Sequence, residues 1–217
     1  ILDDYSLSSF ATSNQDIFED ANVKTVIFTI INNKNSDKTN IFSIENSEFI
    51  FKYVISQNIF IEQDYSINEK INMSTLPLLQ KLEKYHKLKD FFEGKNGIKV
   101  RKELLFNNIK DENYKPFILG KNIFKYLNTF DNTYIDYKLE NARLYTNQAF
   151  RNKDIFEQNK LIIRQILGKN IITTYDDKKM YTDQTTYIIN KTCDNQNLKY
   201  LLSLLNSKIM FFYFINK

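Results

Sequence analysis

The sequence predicts a mixed α+β fold, and three observations carry that expectation. A β-branched run, Val23 to Ile31, ends in the polar segment Asn32-Asn33-Lys34-Asn35-Ser36, as a buried strand followed by a turn does. Residues 160 to 189 divide into apolar stretches separated by short polar turns, an antiparallel pattern. Two other stretches, Ser74 to Phe92 and Asn197 to Phe214, space their large apolar residues as helices do.

The elements follow in chain order. Ile41 to Ile61 alternates through Phe42, Ile44, Phe49, Phe51, Tyr53 and Ile55, predicting two short strands with a polar turn at Glu45-Asn46-Ser47. Ser74 or Thr75 can cap the next helix, Pro77 is tolerated in its first turn, and Leu78, Leu82, Tyr85 and Phe92 recur along it. Gly94 is expected to stop that helix. Gly94-Lys95-Asn96-Gly97 then reads as a loop leading into a strand, Ile98 to Lys102. Lys160 to Gly168 reads as a strand, Gly168-Lys169-Asn170 as a tight turn, and Ile171 to Tyr175 as the return. Asp176-Asp177-Lys178-Lys179 makes a second turn into Met180 to Ile189, completing a three-stranded antiparallel meander. Leu198, Leu201, Leu202, Leu204, Leu205, Ile209, Phe212 and Tyr213 mark a C-terminal helix docked on that sheet.

Composition excludes several classes of chemistry. The four glycines (Gly94, Gly97, Gly120, Gly168) form neither a dinucleotide fingerprint nor a P-loop. One histidine, His86, and one cysteine, Cys193, cannot build a typical histidine or cysteine-rich metal site. The lone thiol also excludes an internal disulfide and suits a reducing cytoplasm. The carboxylates Asp176 and Asp177 lack a third acid and a lysine at nuclease spacing. No apolar run approaches the roughly 18 residues of a membrane helix. The chain begins at Ile1 without methionine, so it is expected to be a fragment or a processed product.

The net charge of +4 hides an asymmetry. Residues 1–73 hold five lysines against eleven acids, a net −6, while residues 74–217 hold 21 lysines and four arginines against fifteen acids, a net +10. A basic second part behind an acidic leader suits a polyanionic partner. A merely solvated lysine-rich surface, reflecting AT-rich coding, fits the composition equally.

Four motifs in order carry a resemblance. Pro116-Phe117-Ile118-Leu119-Gly120-Lys121-Asn122-Ile123-Phe124-Lys125-Tyr126 comes first, then Phe156-Glu157-Gln158-Asn159-Lys160-Leu161-Ile162-Ile163-Arg164-Gln165-Ile166. Ile171 to Asp176 with Tyr181-Thr182-Asp183-Gln184-Thr185-Thr186-Tyr187 follows, and Leu198 to Lys208 closes the series. Together they resemble the TaqI-like C-terminal specificity domain of adenine-specific DNA methyltransferases and of fused type II, subtype G, restriction–modification enzymes. Asn122 stands where that family often has aspartate, and Asn159 where it often has proline. Ile17-Phe18-Glu19-Asp20-Ala21 with Val23 to Ile31 is similar to the strand that ends the methyltransferase domain in these proteins.

The resemblance implies residues 1–35 as the last strand or strands of an α/β methyltransferase domain and residues 36–217 as a target-recognition domain. It implies double-stranded DNA and an upstream methyltransferase domain as partners, with no membrane. The family's Asn-Pro-Pro-Tyr tetrapeptide and S-adenosylmethionine loop are not in this sequence, so the fragment is expected to have no catalytic residues and no cofactor, the parent enzyme using S-adenosylmethionine. The candidate DNA contacts are Lys95, Lys99, Arg101, Lys102, Lys121, Asn122, Arg143, Arg151, Arg164, Gln165, Tyr175 and Gln184. Lys95, Lys99, Arg101 and Lys102 form the densest basic cluster, whose glycines could let backbone approach a phosphate. Tyr175, Tyr181 and Tyr187 could stack or bond phosphates. Arg164 either reads a base edge or pairs with Asp176 on the neighbouring strand. A different class of function, docking a partner subunit of a restriction complex, remains open beside DNA reading.

Overall fold

The computed structural model describes residues 2–13, 25–33, 36–62, 67, 70–138, 140, 151–166 and 168–217. It is α+β, with mixed sheets and several helices. The chain divides into two compact units, Ile1–Lys84 with Tyr213–Lys217, and Tyr85–Phe212.

The first unit is built on four strands, β1 (Ser6–Ser13), β2 (Val26–Ile31), β3 (Lys38–Glu45) and β4 (Glu48–Ser56). They lie in the order β2-β1-β3-β4, with β1 and β3 parallel and the outer pairs antiparallel. The predicted β3–β4 hairpin forms. Asn46 and Ser47 both adopt positive φ, 52° and 66°, the backbone twist that a two-residue hairpin turn needs.

The strand expected from Val23 to Ile31 is present from Val26, but it is not buried: all six residues are exposed, Phe28 at 58%. Among the described residues it pairs with β1 alone and forms the sheet edge, an arrangement that leaves backbone groups open to a further partner. Ile17 to Lys24 lie outside the described residues. The helices α1 (Gln57–Glu62) and α2 (Leu76–Glu83) complete the unit, and Gln57 ties the chain together. Its amide donates to the carbonyls of Leu2 and Tyr5, and its carbonyl accepts from Leu7 N–H.

The helix predicted from Ser74 to Phe92 is cut to Leu76–Glu83. Past Lys84 the chain extends at Lys87, makes a 3-10 turn over Leu88–Asp90, and enters β5 (Phe92–Asn96). Gly94 is therefore a strand residue rather than a helix stop. Pairing with a neighbouring strand overrides the helical spacing of Tyr85 and Phe92, since it satisfies five residues of backbone at once.

The second unit continues through β6 (Leu105–Phe106), β7 (Tyr114–Ile118), β8 (Ile123–Phe124), β9 (Leu127–Asn128) and β10 (Tyr134–Asp136). After α3 (Asp154–Glu157) come β11 (Lys160–Arg164), β12 (Thr173–Asp176), β13 (Tyr181–Thr182) and β14 (Thr186–Lys191), then α4 (Leu198–Leu205) and α5 (Lys208–Asn216). Two four-stranded sheets result, β12-β11-β14-β5 and β13-β7-β10-β6.

The predicted meander is corrected here. β12 and β14 are both antiparallel neighbours of β11, so β14 pairs with β11 and not with β12. Between β12 and β14 the chain leaves the sheet, and β13 runs parallel to β7 in the other one. β11 thus becomes a central strand covered on both faces, which explains its unbroken Leu161-Ile162-Ile163 run. Leu161 packs with Ile189 and the α4 leucines, whereas Ile162 faces Ile118, Ile123 and Met180.

The predicted C-terminal helix docks on that sheet through α4, but it breaks at Asn206-Ser207 and α5 continues at 64°. Asn197 caps α4 by accepting from the N–H groups of Lys199 and Tyr200. At the other end, buried Asn206 accepts from Thr173 N–H at 3.0 Å and donates to Thr173 C=O at 2.9 Å, extending the edge of β12 with a side-chain amide. Among the described residues no single helix is long and apolar enough to cross a membrane.

One charged pair lies wholly inside. Lys160 and Asp176 face each other across β11 and β12 with no side-chain exposure, and the Lys160 ammonium also donates to Phe156 C=O. Asp176 accepts from Lys178 N–H at 3.2 Å and Met180 N–H at 2.9 Å, closing the turn that leads out to β13. Burial pulls the Lys160 ammonium below its ordinary pKa, and Asp176 opposes that shift. Removing one partner strands the other charge in an apolar interior. Lys160→Ala is therefore expected to lower stability by about 3–5 kcal/mol in urea unfolding. A loss under about 1 kcal/mol would show that the backbone donors alone satisfy Asp176.

Candidate nucleic-acid interface

A single turn, Asp183-Gln184-Thr185, organises one end of the second unit. Thr185 Oγ1 donates to Asp183 Oδ1 at 2.6 Å, Thr186 N–H to Asp183 C=O at 3.2 Å, and Thr186 Oγ1 to the same carbonyl at 2.8 Å. An aspartate followed two residues on by threonine is a sequence that closes on its own backbone. The Gly120 N–H adds a further hydrogen bond to the Asp183 carboxylate, yet burial outweighs these donors and raises the carboxyl above its ordinary pKa.

Two glycines admit this turn. A β-carbon on Gly97 would stand 2.0 Å from the Asp183 carbonyl oxygen, and one on Gly120 would stand 2.6 Å from Thr185 Oγ1. Gly97 N–H donates to Thr186 C=O and Ile98 N–H to Thr182 C=O at 2.8 Å. The glycine loop expected to approach a phosphate is instead half strand, Phe92–Asn96, and half internal contact. Ile98 to Lys102 is not a strand either: Ile98 makes a single bridge to Asp183, and a 3-10 turn follows at Lys102–Leu104.

The turn gathers candidate residues that are far apart in sequence. Gln165 leaves β11 with its N–H bonded to Thr185 C=O at 2.8 Å, and its amide donates to the Tyr187 hydroxyl at 3.0 Å. Gln184, at the tip, is exposed, as is Gln165. Lys99, Arg101 and Lys102 emerge exposed just after Ile98, and Lys121 just after Gly120. Among the described residues none of these four cations is ion-paired. Arg164 is half-buried opposite Thr186 and forms no ion pair among the described residues. Its expected partner, Asp176, lies at the far end of β11, where Lys160 takes it.

Other candidates go elsewhere. Lys95 is ion-paired with Glu93 at 2.7 Å. Asn122 is buried: its Oδ1 accepts from Leu119 N–H at 3.1 Å, and its side chain also bonds Asp131. It caps a turn and offers nothing to a surface partner. Arg151 is exposed beside Tyr137, whose hydroxyl donates to the Arg151 carbonyl. Tyr175 sits near the opposite end of the sheet, with the Lys199 ammonium 5.5 Å over its ring, on a polar pocket shared with Lys191 and Asn195. Tyr181 is fully buried, stacked on Phe156 at 4.5 Å and bonded to Glu157. Arg143 lies outside the described residues.

Sequence reasoning missed Lys160, Asn206 and the two clamping glycines as determinants of this geometry. Tyr187 was considered only for stacking or phosphate contact, yet it holds Gln165. The Asp183-x-Thr185-Thr186 pattern was the one local signal for the turn.

The turn thus displays two exposed amides, with cations nearby that form no ion pair among the described residues, and among those residues no three His, Cys, Asp or Glu cluster to hold a metal ion. Residues 115–217 match the family model of the TaqI-like C-terminal specificity domain, so this part of the chain is similar to that domain. No curated protein matches the chain.

The clamp sets a sharp contrast between glycines. Gly97→Ala must push backbone aside and is expected to cost about 1–3 kcal/mol or more. Gly94→Ala, with nothing within 4 Å of the added methyl, should change stability by less than about 1 kcal/mol. Thermal melts of the two variants decide it, and equal melting temperatures would refute the clamp.

Proposed function

We propose that the second unit recognises a specific sequence of double-stranded DNA on behalf of an adenine methyltransferase or a fused restriction–modification enzyme. The observation that carries this reading is the match to a specificity domain over the segment that holds the 183–185 turn, with the exposed cations Lys99, Arg101, Lys102 and Lys121 free of ion pairs among the described residues. Cations grip phosphates and fix register, while side chains on a rigid scaffold read base edges. In the parent enzyme such a module would hold the duplex while an adenine turns out into a catalytic pocket.

S-adenosylmethionine does not fit the residues present here. Gly97 and Gly120 are packed against the turn and Gly94 lies in a strand, which leaves Gly168 as the one remaining glycine, too few for a glycine-rich cofactor loop. The cofactor would be held by a catalytic part outside this sequence. The parallel pairing of β1, which lies within residues 1–35, with β3 supports residues 1–35 as the end of an α/β sheet, since parallel strands are typical of such folds.

A docking role has its own support in the first unit. Phe28, Phe49 and Phe51 are each more than half exposed on its sheet, and apolar surface of that kind suits a protein partner.

Fluorescence titration with duplex DNA separates the two. DNA affinity is expected to fall by about tenfold or more between about 50 and 200 mM salt. The triple variant Lys99→Ala, Arg101→Ala, Lys102→Ala should weaken binding to every duplex alike and flatten the salt slope without shifting the melting temperature. Salt-independent binding, or none at any concentration, would refute the second unit as a DNA face.

A further inference from the structure

We infer that Gln165 and Gln184 are the base-reading residues of this module and that each reads an adenine; this rests on the DNA-recognition reading above. A glutamine amide presents a donor and an acceptor side by side, matching N7 and the exocyclic amine that adenine shows in the major groove. Such reading works only if the amide is held before contact, because a free glutamine loses much rotamer freedom on binding.

Gln165 meets that condition. Its N–H is fixed to Thr185 C=O at 2.8 Å, and its Nε2 donates to the Tyr187 hydroxyl at 3.0 Å. One N–H and the Oε1 oxygen remain for a base. Gln184 stands at the tip of a turn closed by Asp183, Thr185 and Thr186 and backed by Gly97 and Gly120. Its side chain is exposed and makes no hydrogen bond among the described residues. The two glutamines sit one residue apart in register, through Thr185, at the same end of the sheet. Of the described arginines, Arg164 is half-buried along β11, Arg151 lies beside Tyr137, and Arg101 stands among the exposed cations that follow Ile98. The surface near the turn is thus furnished for A·T pairs by its amides, with cations on either side for phosphates.

The test is selection of a random duplex library on the 217-residue chain, followed by sequencing of the bound pool. The wild type is expected to enrich fixed A·T positions. Gln165→Ala and Gln184→Ala should each reduce the adenine preference at one position by about tenfold or more, with nonspecific duplex affinity and melting temperature unchanged. Gln184→Glu should move its position from adenine towards cytosine, whose amine a carboxylate accepts, a change that a merely structural role would not produce. If both alanine variants enrich the wild-type motif, or if guanine is fixed at these positions, the glutamines are not the readers, although DNA recognition stands. If the wild type binds duplex but enriches no motif, sequence reading fails as a whole. If it binds no duplex, the DNA reading fails and this inference with it.

Discussion

A lysine ammonium with no contact to water persists inside a protein only if a partner and enough hydrogen bonds replace the solvent. Lys160 meets that demand with Asp176 and the Phe156 carbonyl, and much of the second unit's geometry follows. The pair locks β11 to β12 in one register, because a slip by one residue would turn the ammonium to the opposite face. Asp176 then spends its remaining capacity on the N–H groups of Lys178 and Met180. That closes the turn which carries the chain out of one sheet and into β13 of the other.

The excursion through β13 has a consequence at the opposite end of β11. A strand that had simply turned back from β12 would have paired with β12. By crossing over first, the chain returns as β14 on the free edge of β11, and the connection between β13 and β14 becomes the 183–185 turn. The turn is rigid because its polar groups are satisfied locally and its neighbours are glycines. Rigidity there costs the module nothing in binding, since a side chain already held loses little entropy on contact. The charge pair at one end of the sheet and the amides at the other are thus linked through one strand order.

The surface chemistry divides along similar lines. Among the described residues Lys99, Arg101, Lys102 and Lys121 form no ion pair, whereas Lys95, Lys115 and Lys138 are tied to acids. An excess of lysine in the sequence therefore overstates the free positive surface. What distinguishes Lys99, Arg101, Lys102 and Lys121 is position: Lys99 and Lys121 each follow directly on a residue held against the turn, Ile98 and Gly120, and Arg101 and Lys102 come shortly after Lys99 in the chain.

The sequence by itself determined the mixed class, the β3–β4 hairpin, the α4 leucine face and the specificity-domain family. These depend on local periodicity, turn chemistry and motif order, all of which survive in a linear string. It also brought Gln165 and Gln184 into the candidate set, through motifs alone. Tertiary structure decided what pairing and burial decide. It shortened the first long helix by drawing Phe92–Asn96 into a sheet, left the β2 side chains exposed at an edge, and gave Asp176 to Lys160 instead of Arg164. It also buried Asn122 and Tyr181 and turned Gly97 from a loop hinge into a packing contact. None of this was legible beforehand, because a side chain's partner depends on strand order, and strand order is fixed by contacts between residues distant in the chain.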